Sequence, residues 1–88
     1  MRFMVIEHFR GGDASAVYAQ LEARGRMIPE GVTYVDSWVA ESGAHCFQLM
    51  DCASEAELQP WIDAWADLVD FEVVPVVDSV TAAGKFKG

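Results

Sequence analysis

Residues 32–52 show the hydrophobic pattern of a β-hairpin. The segment VTYVDSWVAESGAHCFQLMDC has two arms rich in β-branched and aromatic residues, and Ser42 with Gly43 between them suits a two-residue turn. Pairing across that turn places Trp38 opposite Phe47 and Val35 opposite Met50. Because side chains alternate along a strand, the predicted faces are Tyr34, Asp36, Trp38, Phe47 and Leu49 on one side, and Val35, Ser37, Val39, Cys46, Gln48 and Met50 on the other. Neither face is polar enough to remain in water.

Two further strands flank the hairpin. Residues 2–9, RFMVIEHF, have strand length and are apolar on both sides as far as Ile6, which is typical of a central strand. Residues 70–77, DFEVVPVV, form the last predicted strand. Pro75 cannot donate a backbone hydrogen bond, so this strand is expected at an edge of the sheet.

Two amphipathic helices are predicted between the strands. The first runs from Asp13, as N-cap, to about Arg26. The second begins at a capping box formed by Ser54 and Glu57, and Pro60 predicts either a kink or a helix that restarts with Pro60 as its first residue. Its apolar stripe is Leu58, Trp61, Ile62, Trp65, Leu68 and Val69. Residues 78–88 are expected to form a short C-terminal helix or a mobile tail.

The order of these elements predicts an α+β fold of the ferredoxin-like βαββαβ type. Its four-stranded antiparallel sheet would have the order 4-1-3-2, with both helices on one face. The other face would remain apolar and uncovered. We therefore expect a homodimer that closes the open sheet face and the edge strands, as in a dimeric α+β barrel.

Length and charge narrow the classes of partner. A chain of 88 residues is expected to form a single domain spanning 1–88. Fourteen acidic and six basic residues give a formal net charge of -8, which repels phosphate backbones and anionic headgroups. No nucleic-acid or membrane partner is therefore expected. The apolar run at residues 3–6 is too short for a signal peptide or a membrane span, which favours a cytoplasmic location.

The two cysteines are not expected to form a disulfide. Cys46 and Cys52 lie on one predicted strand, where their Cα atoms would be about 20 Å apart, far beyond the reach of a disulfide. They are interpreted as small buried hydrophobic residues.

Four segments carry a resemblance to a known family. MRFMVIEHF, RGRMIPEGVTYVDSWV, CFQLMDC and WADLVDFEVVPVV resemble a family of small bacterial proteins known only as a domain of unknown function. The likeness spans nearly the whole chain. That family is similar in turn to the dimeric α+β-barrel superfamily, which implies a ferredoxin-like protomer and a barrel dimer. It also implies roles among cofactor-independent oxygenases, isomerases, haem-binding enzymes and ligand sensors, although a shared scaffold does not determine function.

Two polar residues in apolar strands are candidate catalytic groups, His8 and Asp36. A desolvated carboxyl at Asp36 would suit general base catalysis, although an edge-strand charge that blocks unwanted pairing is the plainer interpretation. His8 and His45 could approach each other near Glu7 and Glu72. Nothing in the spacing requires these histidines to share a face, so neither a metal site nor a cofactor is predicted.

Aromatic residues outline a candidate ligand pocket. Trp61 and Trp65, with Tyr18 on the first helix, could form the walls around a flat apolar ligand, although such stripes are more often plain core. Arg24 and Arg26 could bind a carboxylate, a role that few exposed arginines have. The predicted pocket residues are Tyr18, Tyr34, Trp38, Gln48, Trp61 and Trp65.

Two functions from different classes fit this pattern. The first is a homodimeric protein that binds a small apolar ligand or serves as an interaction module. The second is a cofactor-independent oxygenase or isomerase that acts on a small aromatic or quinone-like substrate, with His8 or Asp36 as base. An enzyme of this kind needs a pocket that contains a titratable group with a shifted pKa, and this requirement separates the two.

Overall fold

Four strands and three helices make up the computed structural model, which describes residues 1–12 and 14–87. The elements are β1 (Arg2–Phe9), α1 (Ala14–Arg24), β2 (Thr33–Val39), β3 (His45–Asp51), α2 (Gln59–Trp65), β4 (Val69–Val76) and α3 (Ser79–Phe86). Short 3-10 turns occupy Arg10–Gly12 and Glu55–Leu58. The predicted α+β class is confirmed.

The strands form one antiparallel sheet in the order β2-β3-β1-β4. This is the predicted order 4-1-3-2, given from the opposite edge. The apolar strands β1 and β3 lie in the centre, and β4 lies at an edge. The missing N–H of Pro75 is tolerated there, because one side of an edge strand has no neighbouring strand to accept a hydrogen bond.

The β2-β3 hairpin has the predicted register at its turn and a different one at its far end. Trp38 pairs with Phe47, as predicted, but Met50 pairs with Tyr34 and not with Val35. Val35 is the extra residue of a β-bulge, which reverses the alternation beyond it. The predicted faces of Tyr34 and Val35 are therefore wrong. Tyr34 shares the face of Ser37, and the two hydroxyl oxygens are 2.5 Å apart.

The hairpin loop is longer than the predicted two-residue turn. Ala40 N donates to His45 O at 2.9 Å, and Gly43 N donates to Ala40 O at 2.7 Å, so residues 41–44 form the loop. Gly43 takes a φ of +80°, which a residue without a side chain adopts at little cost.

The second helix starts in two steps. Ser54 makes no side-chain cap bond, so the predicted capping box is absent, and a 3-10 turn precedes α2. The helix does restart here, but its first residue is Gln59 and not the predicted Pro60. Pro60 is tolerated in this first turn, because the N–H that it lacks has no partner within the helix there. Asp13, the predicted N-cap of α1, lies outside the described residues. The predicted C-terminal helix is α3, which has no buried residue.

Helices α1 and α2 cover one face of the sheet. Buried residues from both helices and three of the four inward-facing residues of β1 join in a single core. This core comprises Phe3, Val5, Phe9, Val17, Val32, Cys46, Met50, Cys52, Leu58, Trp61, Trp65 and Val69. Both cysteines are buried and free, as predicted.

The opposite side of the sheet, here called the open face, is also apolar. Its half-buried or exposed apolar residues include Met4, Ile6, Trp38, Phe47, Leu49, Val74 and Val76. Trp38 is 52% exposed. Neither α1 nor α2 contributes to this side.

Candidate functional site

A cavity of about 90 Å³ lies between the sheet and the two covering helices. We call it the Glu7 cavity, after the only acidic side chain among the described residues that line it. Its lining residues are Glu7, Phe9, Val17, Tyr18, Leu21, Arg26, Ser37, Val39, Cys46, Gln48, Trp61 and Trp65. Most of these are apolar, and the charged and amide groups come from β1, β3 and the segment after α1.

Glu7 is an acid in the core. The alternation of β1 directs Phe3, Val5, Glu7 and Phe9 towards the helices, and Glu7 is only 5% exposed. Gln48 on the neighbouring strand β3 donates a hydrogen bond from Nε2 to Glu7 Oε2. Burial raises the pKa of Glu7 from 4.5 to about 7, while the hydrogen bond from Gln48 and the charge of Arg26 oppose that shift.

Arg26 is held in place by an unusual backbone and by distant side chains. Gly25 and Met27, on either side of it, have φ values of 68° and 58°. A left-handed conformation costs a non-glycine residue about 1–3 kcal/mol, and it persists where the surroundings impose it. Here Trp65 Nε1 donates to the carbonyl oxygen of Arg26 at 3.0 Å, and the guanidinium lies 4.1 Å from the centre of the Tyr34 ring.

A hydrogen-bonded chain links Arg26 to the buried acid. Arg26 Nη1 donates to Gln48 Oε1 at 3.4 Å, and Gln48 Nε2 donates to Glu7. Arg26 is exposed and Glu7 is buried, so the cation lies towards solvent and the acid lies deeper. A carboxyl whose pKa lies near neutrality can accept or donate a proton at ordinary pH.

Cys46 lines the same cavity but is a poor nucleophile. Burial, together with the nearby charge of Glu7, raises the pKa of its thiol to about 11. The reactive thiolate is therefore scarce at neutral pH.

The structure places the predicted pocket residues on two sides of the sheet. Tyr18, Gln48, Trp61 and Trp65 line the Glu7 cavity. Tyr34 lies beside it, where it contacts Arg26 and Ser37. Trp38 lies on the open face, paired with Phe47, and does not reach the cavity.

The two predicted catalytic residues also lie away from the cavity. Asp36 pairs with Leu49 on the open face and is exposed, and its carboxylate accepts a hydrogen bond from Ser37 N at 2.8 Å. His8 and His45 do share a face, with ring centroids 4.8 Å apart in an edge-to-face arrangement. His8 Nε2 is 3.5 Å from a carboxylate oxygen of Glu72.

Within residues 1–12 and 14–87, no group of three or more His, Cys, Asp or Glu side chains is arranged to hold a metal ion. The helices in this part of the chain are also too short or too polar to cross a lipid bilayer.

Sequence reasoning missed Glu7 as the acid of the site. The available signal was an acidic residue on a strand predicted to be central, where alternation places Glu7 on the same side as Phe3 and Val5. This alternation did not show which side of the strand faces the core, because Met4 and Ile6 make the other side equally apolar.

Comparisons with known proteins give a family and no function. A family model described as "Domain of unknown function (DUF3303)" matches residues 1–88. No curated protein and no solved structure matches the chain.

Proposed function

We propose that this chain, which belongs to the DUF3303 family, is a homodimeric protein of the ferredoxin-like type that binds a small, mostly apolar ligand in the Glu7 cavity. The observation that carries the proposal is the cavity itself, in which aromatic and aliphatic walls surround one hydrogen-bonded polar chain. Mostly apolar walls with a few convergent polar groups are typical of small-molecule sites.

The energetic cost of Glu7 supports a functional role for this cavity. A pKa raised from 4.5 to about 7 means that the ionised carboxylate costs the folded state about 3 kcal/mol at alkaline pH. An apolar side chain at this position would avoid that cost. Perturbed acids inside cavities are concentrated at functional sites, where the chemistry requires them.

The dimer is supported by the open face. Its central residues Ile6, Phe47 and Leu49 lie between two edge strands, and Trp38 adds a large exposed aromatic surface. A contiguous apolar sheet face is a frequent site of association, and a two-fold dimer would pair this face with itself. The strand and helix order, with the sheet order β2-β3-β1-β4, agrees with the ferredoxin-like topology.

An isomerase is the second candidate function. The observation that favours it is Glu7, because a general base works best when its pKa lies near the operating pH. His8 and Asp36, the bases expected from the sequence, line no part of the cavity.

A ligand screen with a matched pair of variants tests the binding proposal. Small quinones, phenols and short-chain keto acids are added to the protein, and the melting temperature is measured, because a ligand that binds only the folded state raises it. Leu21→Trp places a bulky ring in the lining of the cavity, whereas Ala23→Trp adds the same ring at an exposed position of α1.

We expect at least one compound class to raise the melting temperature of the wild type and of Ala23→Trp, and to have no effect on Leu21→Trp. Shifts of equal size in all three proteins would place binding outside the cavity. The complete absence of a shift in the wild type would also contradict the proposal.

A further inference from the structure

The Glu7 cavity separates one cation from one acid. Among the described lining residues, Arg26 is the only cationic side chain and Glu7 the only acidic one. Arg26 is exposed and Glu7 is buried, and Gln48 spans the distance between them. A ligand that satisfies both groups has an anionic end for Arg26 and, a short distance away, a proton that a carboxylate can remove.

The anchoring of Arg26 indicates that its position matters to the site. Its carbonyl oxygen accepts a hydrogen bond from Trp65, and its guanidinium lies over the ring of Tyr34. Met27, the next residue, has a left-handed backbone conformation. A planar guanidinium held in this way can form a pair of parallel hydrogen bonds with a carboxylate.

We infer that Glu7 is the general base that removes a proton from the carbon next to the carbonyl group of a small α-keto acid, whose carboxylate Arg26 binds at the mouth of the cavity. This inference rests on the isomerase proposed above for the Glu7 cavity and names the substrate class for it. The activity is a keto–enol isomerisation, which needs no cofactor.

The proton-transfer step balances within the site. The Glu7 carboxylate takes the proton, the electron pair of the broken C–H bond forms the carbon–carbon double bond, and the carbonyl oxygen receives the displaced pair as an enolate. Ser37 lines the cavity with a hydroxyl that also contacts Tyr34, and it can donate a hydrogen bond to that oxygen. The protonated Glu7 then returns its proton to the carbon or, through water, to the enolate oxygen.

The size of the cavity limits the substrate. A volume of about 90 Å³ is smaller than the ~150 Å³ apolar cavity that admits benzene. Short-chain α-keto acids therefore fit better than bicyclic quinones. The apolar side chain of the substrate would contact Trp61 and Leu21, which line the cavity.

Hydrogen–deuterium exchange measures this step without knowledge of the final product. The full-length protein is incubated with α-ketobutyrate in deuterated buffer at neutral pD, and proton NMR follows the loss of the signal from the carbon next to the carbonyl. The rate without protein is subtracted. We expect protein-dependent exchange in the wild type, with kcat/KM rising as Glu7 ionises near pH 7.

Three variants assign the roles. Glu7→Gln is expected to reduce kcat about 100-fold or more, the usual contribution of a general base. Arg26→Met is expected to raise KM about 10- to 100-fold with a smaller effect on kcat, because it removes a charged hydrogen-bond partner of the substrate. Arg10→Met removes the same charge at an exposed position outside the cavity lining and is expected to leave both constants unchanged.

The outcomes separate this inference from the binding proposal. No exchange above the blank, with α-ketobutyrate or a phenol still raising the melting temperature, would overturn the role of Glu7 and leave ligand binding intact. Absence of both effects would overturn both. Undiminished exchange in Glu7→Gln would also overturn the assignment of the base. If Glu7→Gln does not fold, Glu7→Asp provides the test, since a shortened carboxyl should retain the pH dependence at a reduced rate.

Discussion

Glu7→Gln is expected to stabilise the protein at alkaline pH and to stabilise it much less at acidic pH. The folded protein raises the pKa of this carboxyl, mainly through burial, so ionisation is less favourable in the folded state than in the unfolded chain. Glutamine keeps the size of the side chain and can still accept the hydrogen bond from Gln48, but it never ionises.

The magnitude follows from the two pKa values. Below about pH 4.5 both the folded and the unfolded states bind the proton, and Glu7 adds no electrostatic cost. Between 4.5 and about 7 the folded state binds more protons, so the free energy of unfolding falls by up to about 1.4 kcal/mol for each pH unit. Above that range the full cost is about 3 kcal/mol. From about pH 5.5 to 8 the stabilisation by Glu7→Gln should therefore grow by about 2 kcal/mol.

Urea denaturation at the two pH values measures this difference. All proteins are compared at one concentration, because the unfolding of a dimer depends on it. Glu22→Gln, which removes the same charge from an exposed position on α1, controls for the change in net charge. A stabilisation by Glu7→Gln that is equal at both pH values and matches that of Glu22→Gln would show that burial does not raise the pKa of Glu7.

Three further predictions concern the open face, the core and the thiol. Trp38→Glu should convert the proposed dimer into a folded monomer, because it places a charge on the exposed apolar open face; light scattering measures the mass and circular dichroism the folding. A wild-type protein that is monomeric at every concentration would contradict this. Leu58→Ala should lower the free energy of unfolding by about 2–5 kcal/mol, because Leu58 is fully buried, and a loss below about 1 kcal/mol would be inconsistent with that burial. Cys46 should react with iodoacetamide at pH 8 about 100-fold more slowly in the native protein than in urea, given its raised pKa, and equal rates would show that the thiol is accessible.

The strand order could be predicted because local patterns determined it. The first strand is apolar on both sides, and Pro75 directs the last strand to an edge, so the sequence restricts the arrangement of the sheet to a few topologies. The bulge at Val35 was not predictable in this way. It changes the face of Tyr34, and no glycine or proline in the strand marks its position.

The candidate site depends on contacts between residues distant in sequence. Glu7 could have faced either side of the sheet, because both sides of its strand are apolar. Arg26 acquires its position from Tyr34, Gln48 and Trp65, which lie on three other segments. Sequence spacing predicts which residues share one strand or helix face, but it does not predict which of those faces meet.

A carbon-13 NMR titration of the Glu7 side-chain carboxyl, assigned by comparison with Glu7→Gln, tests most directly whether this acid is buried in a cavity. A midpoint near pH 7 is expected, because burial in the cavity raises the pKa of the carboxyl more than the hydrogen bond from Gln48 lowers it. A midpoint near the ordinary value of 4.5 would show that Glu7 is solvated, and would contradict both the cavity and the chemistry assigned to it.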